Sequence, residues 1–141
     1  MKKTRILIID GQGGGIGRQL TEGIKNSFPD LIVAAVGTNV LATQAMIKAG
    51  ADEAATGENA VIVACKKADI IAGPIGIAIA DSLMGEITPA MAVAVGQSPA
   101  VRILLPINQC GNQVVGIDNL PMGSLIRSCI EQIRKCLDSA V

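Results

Sequence analysis

The sequence predicts an α/β fold with a doubly wound, mostly parallel β-sheet, built as a single domain over residues 1–141. Short apolar runs alternate with helical patterns along the whole chain. The first run, RILIID at 5–10, is typical of a strand covered on both faces, as in parallel sheets. The loops that leave the predicted strands are rich in glycine and neutral polar residues, whereas the loops that enter them contain ordinary turn residues. Ligands of doubly wound folds bind beyond the carboxyl ends of the strands, so this asymmetry favours the same fold class.

The first half of the chain divides into four predicted strands and three predicted helices. The strands are expected at 5–10, 31–36, 52–56 and 69–73. The helices between them are expected at 15–27, ending before Pro29, at 40–50, closed by Gly50, and at about 59–68.

The second half begins with GPIGIAIADSLMGE at 73–86, which predicts a turn and a short apolar helix ending near Gly85. Thr88 followed by Pro89 is typical of an N-cap with proline at the first helical position, and starts a helix to about 97. The last helix is expected over about 122–138, where one apolar stripe contains Leu125, Cys129, Ile133 and Leu137.

Two further strands complete the predicted sheet. Only six residues separate the strand at 100–106 from the one at 113–117, too few for a crossover, so this pair should be an antiparallel hairpin. Right-handed crossovers then favour the Rossmann-like strand order 3-2-1-4-5 with an antiparallel edge strand.

Composition excludes several classes of function. Twelve basic residues balance twelve acidic ones and the only aromatic residue is a phenylalanine, so nucleic-acid binding is not expected. There is no histidine and no close cysteine pair, so we expect no metal site. The apolar zone at 70–101 is interrupted by charges, glycines and prolines, which argues against a membrane span, and only four apolar residues follow MKKTR, too few for a signal core.

We therefore expect a cytoplasmic protein with reduced thiols. Three of the four cysteines fit core positions. Cys110 differs because it lies in the polar loop NQCGN, and a functional role for its thiol stays open.

The richest motif is the glycine loop after the first strand, where five of the eight residues at 10–17 are glycine. The spacing of Gly11, Gly15 and Gly17 fits GxxxGxG and resembles the fingerprint of short-chain dehydrogenases. Glycines permit a tight turn and close approach of a phosphate, while a helix N-terminus offers free N–H groups. We predict a phosphate-binding loop formed by Gly11, Gln12, Gly13, Gly14, Gly15, Ile16 and Gly17. The alternative is that these glycines serve only close packing of the helix on the sheet.

The other candidate ligand residues follow later strands. Asn39, next to Thr38, can bond a ribose, although NAD-binding folds usually have an acidic residue there. Thr56 is either a ligand or an N-cap, and the turn with Gly73, Pro74 and Gly76 should form the opposite wall through its backbone N–H groups. NADP or NAD is the expected cofactor. Arg18 could bind the additional phosphate of NADP. The alternative is that Arg18 is a solvated side chain.

The acidic residues near these loops leave the reaction unidentified. The chain has no tyrosine, which excludes the tyrosine–lysine chemistry of short-chain dehydrogenases. Asp10 would repel a phosphate unless a metal bridges the two groups or its carboxylate turns aside to bond backbone N–H groups, and we expect the second arrangement. Asp81, in an apolar segment, must be exposed, capping a helix or paired, and exposure is the simplest expectation.

Taken together, the segments DGQGGGIG, ATGENA, GPIGI and MGEITP resemble a family of short bacterial proteins classed as a domain of unknown function, over nearly the whole chain. This resemblance implies a bacterial cytoplasmic protein and assigns no catalytic residue.

Three functions therefore compete. The leading hypothesis is a binding protein for a dinucleotide or nucleotide phosphate. The second is a non-enzymatic scaffold or regulator that forms a homo-oligomer such as a dimer, since some apolar helix face should remain uncovered. A weaker third is a magnesium-dependent nucleotide transferase that uses Asp10 or Glu86.

Overall fold

The computed structural model describes residues 2–107 and 111–139. The strands are β1 (Arg5–Asp10), β2 (Ile32–Gly37), β3 (Glu53–Thr56), β4 (Ile70–Pro74) and β5 (Val101–Leu105). The helices are α1 (Gly15–Ser27), α2 (Val40–Lys48), α3 (Glu58–Lys67), α4 (Pro89–Gln97) and α5 (Met122–Ser139), with one 3₁₀ turn at Ile75–Ala78.

The five strands form one parallel sheet in the order β3-β2-β1-β4-β5, which confirms the predicted doubly wound fold and strand order. Side chains of β1 alternate between two apolar cores. Ile6 and Ile8 pack with α1, α2 and α5 on one face, and Leu7 and Ile9 pack with α3 and α4 on the other. Both faces of β1 are therefore covered, which explains its continuous apolar sequence.

The helix termini follow from local sequence. Asn39 caps α2, because its Oδ1 accepts a hydrogen bond from the Ala42 N–H at 2.9 Å. Thr88 caps α4 with Pro89 at its first position, as predicted, and its Oγ1 accepts from the Met91 N–H at 3.1 Å. The predicted stripe of α5 is also confirmed, since Cys129 and Ile133 are buried in the core shared with α1.

The antiparallel strand predicted at 113–117 is wrong. The segment is a loop with a turn at Val115 and Gly116, and Val115 is 95% exposed. Within the described part of the chain, β5 is therefore the edge strand on this side.

The apolar helix predicted to end near Gly85 is also wrong, because only the 3₁₀ turn forms and a series of turns follows it. Asp81, Leu83 and Met84 adopt left-handed φ values of 67°, 57° and 56°, which a right-handed helix cannot contain. The turns bury Leu83, which is 1% exposed, and leave Met84 92% exposed. Asp81 is exposed, as expected.

The described helices include none with the length and apolar character needed to cross a bilayer.

Candidate functional site

Asp10 ends β1 and organises the glycine loop. Its side chain is buried; Oδ1 accepts the Gly11 N–H at 2.8 Å and Oδ2 accepts the Gly17 N–H at 2.6 Å. Burial raises the pKa of Asp10, and the hydrogen bonds from Gly17 and Gly11 act in the opposite direction. The carboxyl group thus turns aside to bond backbone N–H groups, as predicted, and ties the start of α1 to β1.

Three of the five loop glycines are required by the fold. Gly14 has a left-handed φ of 74°, and a Cβ there would lie 2.7 Å from Ala42 Cα. A Cβ on Gly17 would lie 2.6 Å from Met46 Sδ, and one on Gly11 would lie 2.6 Å from Thr38 Oγ1. Close packing therefore explains the glycine at each of these positions.

Gly13 and Gly15 differ from the other three. Both are exposed, neither has a left-handed φ, and a Cβ on either would have no heavy atom within 4 Å. Their amides have no hydrogen-bond partner among the described residues, whereas the Gln12 and Gly14 amides donate within the protein. The fold itself does not demand glycine at these two positions.

A cleft of about 270 Å³ opens beside these amides. The cleft is lined by the glycine loop at the N-terminus of α1 and also by the apolar residues Ile107 and Met122. The lining residues are Asp10, Gly11, Gln12, Gly13, Gly14, Gly15, Ile16, Gln19, Ile107 and Met122.

Glu86 reaches the same region from the connection between β4 and α4. Its Oε1 accepts hydrogen bonds from the Gln12 N–H at 2.9 Å, Thr38 Oγ1 at 2.5 Å and Asn39 Nδ2 at 2.9 Å. Burial alone would raise the pKa of Glu86, but the bonds from Thr38, Gln12 and Asn39 outweigh it and hold the pKa below its ordinary value. The sequence suggests Glu86 only as a possible transferase acid. No local spacing links it to residues 74, 48 and 47 positions away.

Thr38 and Asn39 lie beside the glycine loop, as predicted, but their polar atoms are already used. Thr38 donates to Glu86, and Asn39 Nδ2 also donates to the Gln12 carbonyl oxygen at 2.9 Å. Because Asn39 Oδ1 caps α2, this side chain links the loop, Glu86 and α2. The donor groups of both side chains are used in this arrangement, and contact of Thr38 or Asn39 with a ribose stays a prediction.

Thr56 lies two strands away from β1, at the end of β3. Its hydroxyl is 2.7 Å from Thr43 Oγ1, and the N-cap of α3 is Gly57 without a side-chain cap. The alternative role of Thr56 as an N-cap is therefore wrong.

The turn with Gly73, Pro74 and Gly76, predicted to form the opposite wall of the ligand site, lies deeper in the protein than expected. Gly73 and Pro74 complete β4, and these two residues and Gly76 are buried. A Cβ on Gly73 would lie 2.5 Å from the Ile9 carbonyl oxygen, so close approach of β4 to β1 explains this glycine. Contact of these residues with a ligand stays a prediction.

Arg18 is a solvated residue of the first helical turn and lies 3.9 Å from Glu22, as the simpler alternative predicted. Cys110 lies outside the described residues. Burial raises the pKa of Cys65 to about 11 and that of Cys129 to about 12, so both remain neutral thiols at physiological pH.

Neither acid proposed for a transferase has a metal-binding arrangement. The described residues contain no group of three or more histidine, cysteine, aspartate or glutamate side chains that could hold a metal ion. Asp10 uses both oxygens and Glu86 uses one oxygen to accept protein hydrogen bonds. A magnesium ion would have to compete with these donors at Asp10, whereas Glu86 keeps its second oxygen, and the transferase hypothesis stays a prediction.

A parallel sheet in this order, with a glycine-rich turn between β1 and α1, defines a doubly wound, Rossmann-like α/β protein. The chain belongs to the family described as Domain of unknown function (DUF3842), whose model matches residues 5–138. None of the curated proteins matches it significantly. Among solved structures, it is similar to a dodecameric FMN-dependent Ubix-like decarboxylase from Escherichia coli O157:H7. The two chains share 12% sequence identity with a TM-score of 0.46, and the alignment covers 94% of each.

Proposed function

We propose that this protein binds the phosphate group of a nucleotide or dinucleotide at the amides of Gly13 and Gly15. The observation that carries the proposal is that three of the five loop glycines are explained by the fold, whereas these two are not. Bare amides bordered by open space are what a phosphate oxygen needs for close approach to a backbone.

The N-terminus of α1 favours binding of an anion at Gly15. Gly15 is the first residue of α1, a helix of 13 residues, so its amide lies at the positive end of the helix dipole. The neighbouring carboxyl group of Asp10 accepts two N–H groups of the loop, which offsets its repulsion of a phosphate. The apolar side chains of Ile107 and Met122 offer a surface for the remainder of the ligand.

NADP and NAD are the dinucleotides that the loop sequence suggests, and both belong to the proposed ligand class. Arg18 does not favour NADP, because it is exposed and lies near Glu22 rather than at the cleft. The proposal concerns binding and assigns no reaction.

An amide NMR titration (HSQC) with NAD, NADP and AMP tests this function. We expect the Gly13 and Gly15 resonances to shift with at least one nucleotide. Gly96 serves as an internal control, because it is also exposed and unhindered but lies in α4. Unchanged Gly13 and Gly15 resonances with all three nucleotides would overturn the proposal.

A second candidate function, self-association, is favoured by the outer face of α4. This helix contains no charged residue, its Val93 side chain is 52% exposed, and Val93 lines the same cavity as Ile62 of α3. A helix that is apolar on all sides is typical of a buried position, so we propose that α3 and α4 form a homodimer contact. Sedimentation of the native protein and of Val93→Glu should show a dimer and a monomer. Val115→Glu, in an exposed loop, should remain a dimer; a monomeric native protein contradicts the proposal.

A cytoplasmic location is part of the same proposal. The thiols of Cys65, Cys129 and Cys136 are free, which is typical of proteins in a reducing compartment. Fractionation of the producing bacterium with an antibody to the protein tests this location directly.

A further inference from the structure

Glu86 combines a fixed oxygen with a free one. All three donors of its carboxylate, on Gln12, Thr38 and Asn39, bond Oε1. Oε2 has no partner among the described residues, and it is not among the buried polar atoms that lack one, so it faces solvent. The protein thus holds the carboxylate in one orientation and presents a single acceptor outward.

The position of this acceptor has a recognisable chemical meaning. In doubly wound folds that bind dinucleotides, an acidic residue at the end of the second strand accepts hydrogen bonds from the ribose hydroxyls. Here β2 ends at Gly37 and is followed by Thr38 and Asn39, so the chain has no acid at that point. Glu86 bonds both residues and therefore brings a carboxylate to the same edge of the sheet from another connection.

We propose that Glu86 Oε2 accepts a hydrogen bond from a ribose hydroxyl of the bound nucleotide, and that Glu86 selects ligands with a free 2′-hydroxyl over ligands with a 2′-phosphate. The inference rests on the proposed nucleotide-binding function. A carboxylate attracts a hydroxyl donor, whereas it repels a phosphate that has no proton to donate. The hydrogen bonds to Oε1 lower the pKa of Glu86, so the group stays ionised at neutral pH.

A purely structural role for Glu86 makes a different prediction. If the residue only joined the glycine loop to β2, the Oε1 bonds would be sufficient and Oε2 would affect no ligand. Glu86→Gln separates the two roles, because the carbonyl oxygen of glutamine can still accept from the three donors while an amide replaces Oε2. Glu131→Gln on α5 is the matched control, since it removes the same charge from an exposed position.

The experiment is calorimetric titration of the native protein, Glu86→Gln and Glu131→Gln with NAD and with NADP, after urea unfolding has verified that all three fold. We expect the native protein and Glu131→Gln to bind NAD at least about tenfold more tightly than NADP. In Glu86→Gln the preference should fall to about threefold or less, through weaker NAD binding, tighter NADP binding or both.

Each other outcome has a defined meaning. Equal affinity of the native protein for the two ligands, or tighter binding of NADP, overturns the role of Glu86 and leaves phosphate binding intact. A preference for NAD that persists in Glu86→Gln also overturns it. If Glu86→Gln does not fold, Thr38→Val replaces it in the experiment. This variant removes one hydrogen bond to Oε1 and should weaken the preference for NAD over NADP. An unchanged preference for NAD overturns the proposal. Binding of neither ligand by the native protein overturns this inference, and the nucleotide-binding function is refuted with it if AMP does not bind either.

Discussion

Gly15→Ala provides the most direct separation of packing from ligand binding in the glycine loop. The new Cβ would meet no heavy atom within 4 Å. Gly15 is the first residue of α1, and its φ is not left-handed. Replacing glycine by alanine at a compatible position stabilises a protein by about 0.4–1 kcal/mol, chiefly because the unfolded chain loses conformational freedom. We therefore expect Gly15→Ala to be as stable as the native protein or more so.

Gly17→Ala is the matched control within the same helix. Its Cβ would lie 2.6 Å from Met46 Sδ and 2.9 Å from Asp10 Cβ, so the core and the end of β1 would have to shift. Overpacking of this kind costs about 1–3 kcal/mol. The free energies of unfolding of the two variants should thus differ by about 1.4–4 kcal/mol, with Gly15→Ala the more stable.

Urea denaturation measures the stability of each variant, and nucleotide titration measures its affinity. Gly15→Ala should weaken nucleotide binding by about tenfold or more, because the methyl group stands where a phosphate would approach the amide. If Gly15→Ala destabilises the protein as much as Gly17→Ala does, the glycine serves packing and the reasoning is refuted. A stable Gly15→Ala variant that binds nucleotide with native affinity would refute the assigned phosphate site.

Three further predictions test other parts of the structure. The pKa of Glu86 is lower in the folded chain than its ordinary value of 4.5. Its contribution to stability is therefore complete above pH 4.5 and is lost as the pH falls through the folded pKa. Urea unfolding of Glu86→Gln should show a smaller loss of unfolding free energy below pH 4.5 than urea unfolding of Glu131→Gln. The buried Ser82 hydroxyl has no partner among the described residues, whereas Ser98 Oγ donates to a backbone carbonyl oxygen at 2.7 Å. Ser82→Ala should therefore raise the unfolding free energy by up to about 1 kcal/mol and Ser98→Ala should lower it by about 1–2 kcal/mol, and the reverse order would contradict this account. Met84→Gly should stabilise the protein by about 0.5 kcal/mol, because Met84 has a left-handed φ of 56° and its side chain is 92% exposed. A lower melting temperature for this variant would contradict backbone strain at Met84.

Most of the fold could be predicted because its signals are local. The N-cap at Thr88 and the stripe of α5 depend on residues within one or a few helical turns, and the apolar run of β1 records burial on both faces. The strand order followed from the alternation of elements and the handedness of crossovers. The errors at 75–86 and 113–117 arose where sequence pattern favours an element but burial decides whether it forms.

The candidate site was only partly predictable. The sequence located the glycine loop and the orientation of Asp10, but it could not distinguish Gly13 and Gly15 from the three glycines that packing requires, because that distinction depends on which distant atoms lie near each Cα. The contact of Asn39 with a ribose stays a prediction, and nothing in the sequence indicated that the Asn39 side chain joins α2, the loop and Glu86.

By itself the sequence determined most of the helices and strands, the doubly wound order of the strands and the position of a glycine turn at the end of β1. Only the tertiary structure brought Glu86 to the end of β2, where it bonds Gln12 across 74 positions of the chain. The physical reason is that periodicity, caps and turns arise from interactions between near neighbours, whereas the contact between Glu86 and Gln12 exists only after the sheet and its connections have assembled.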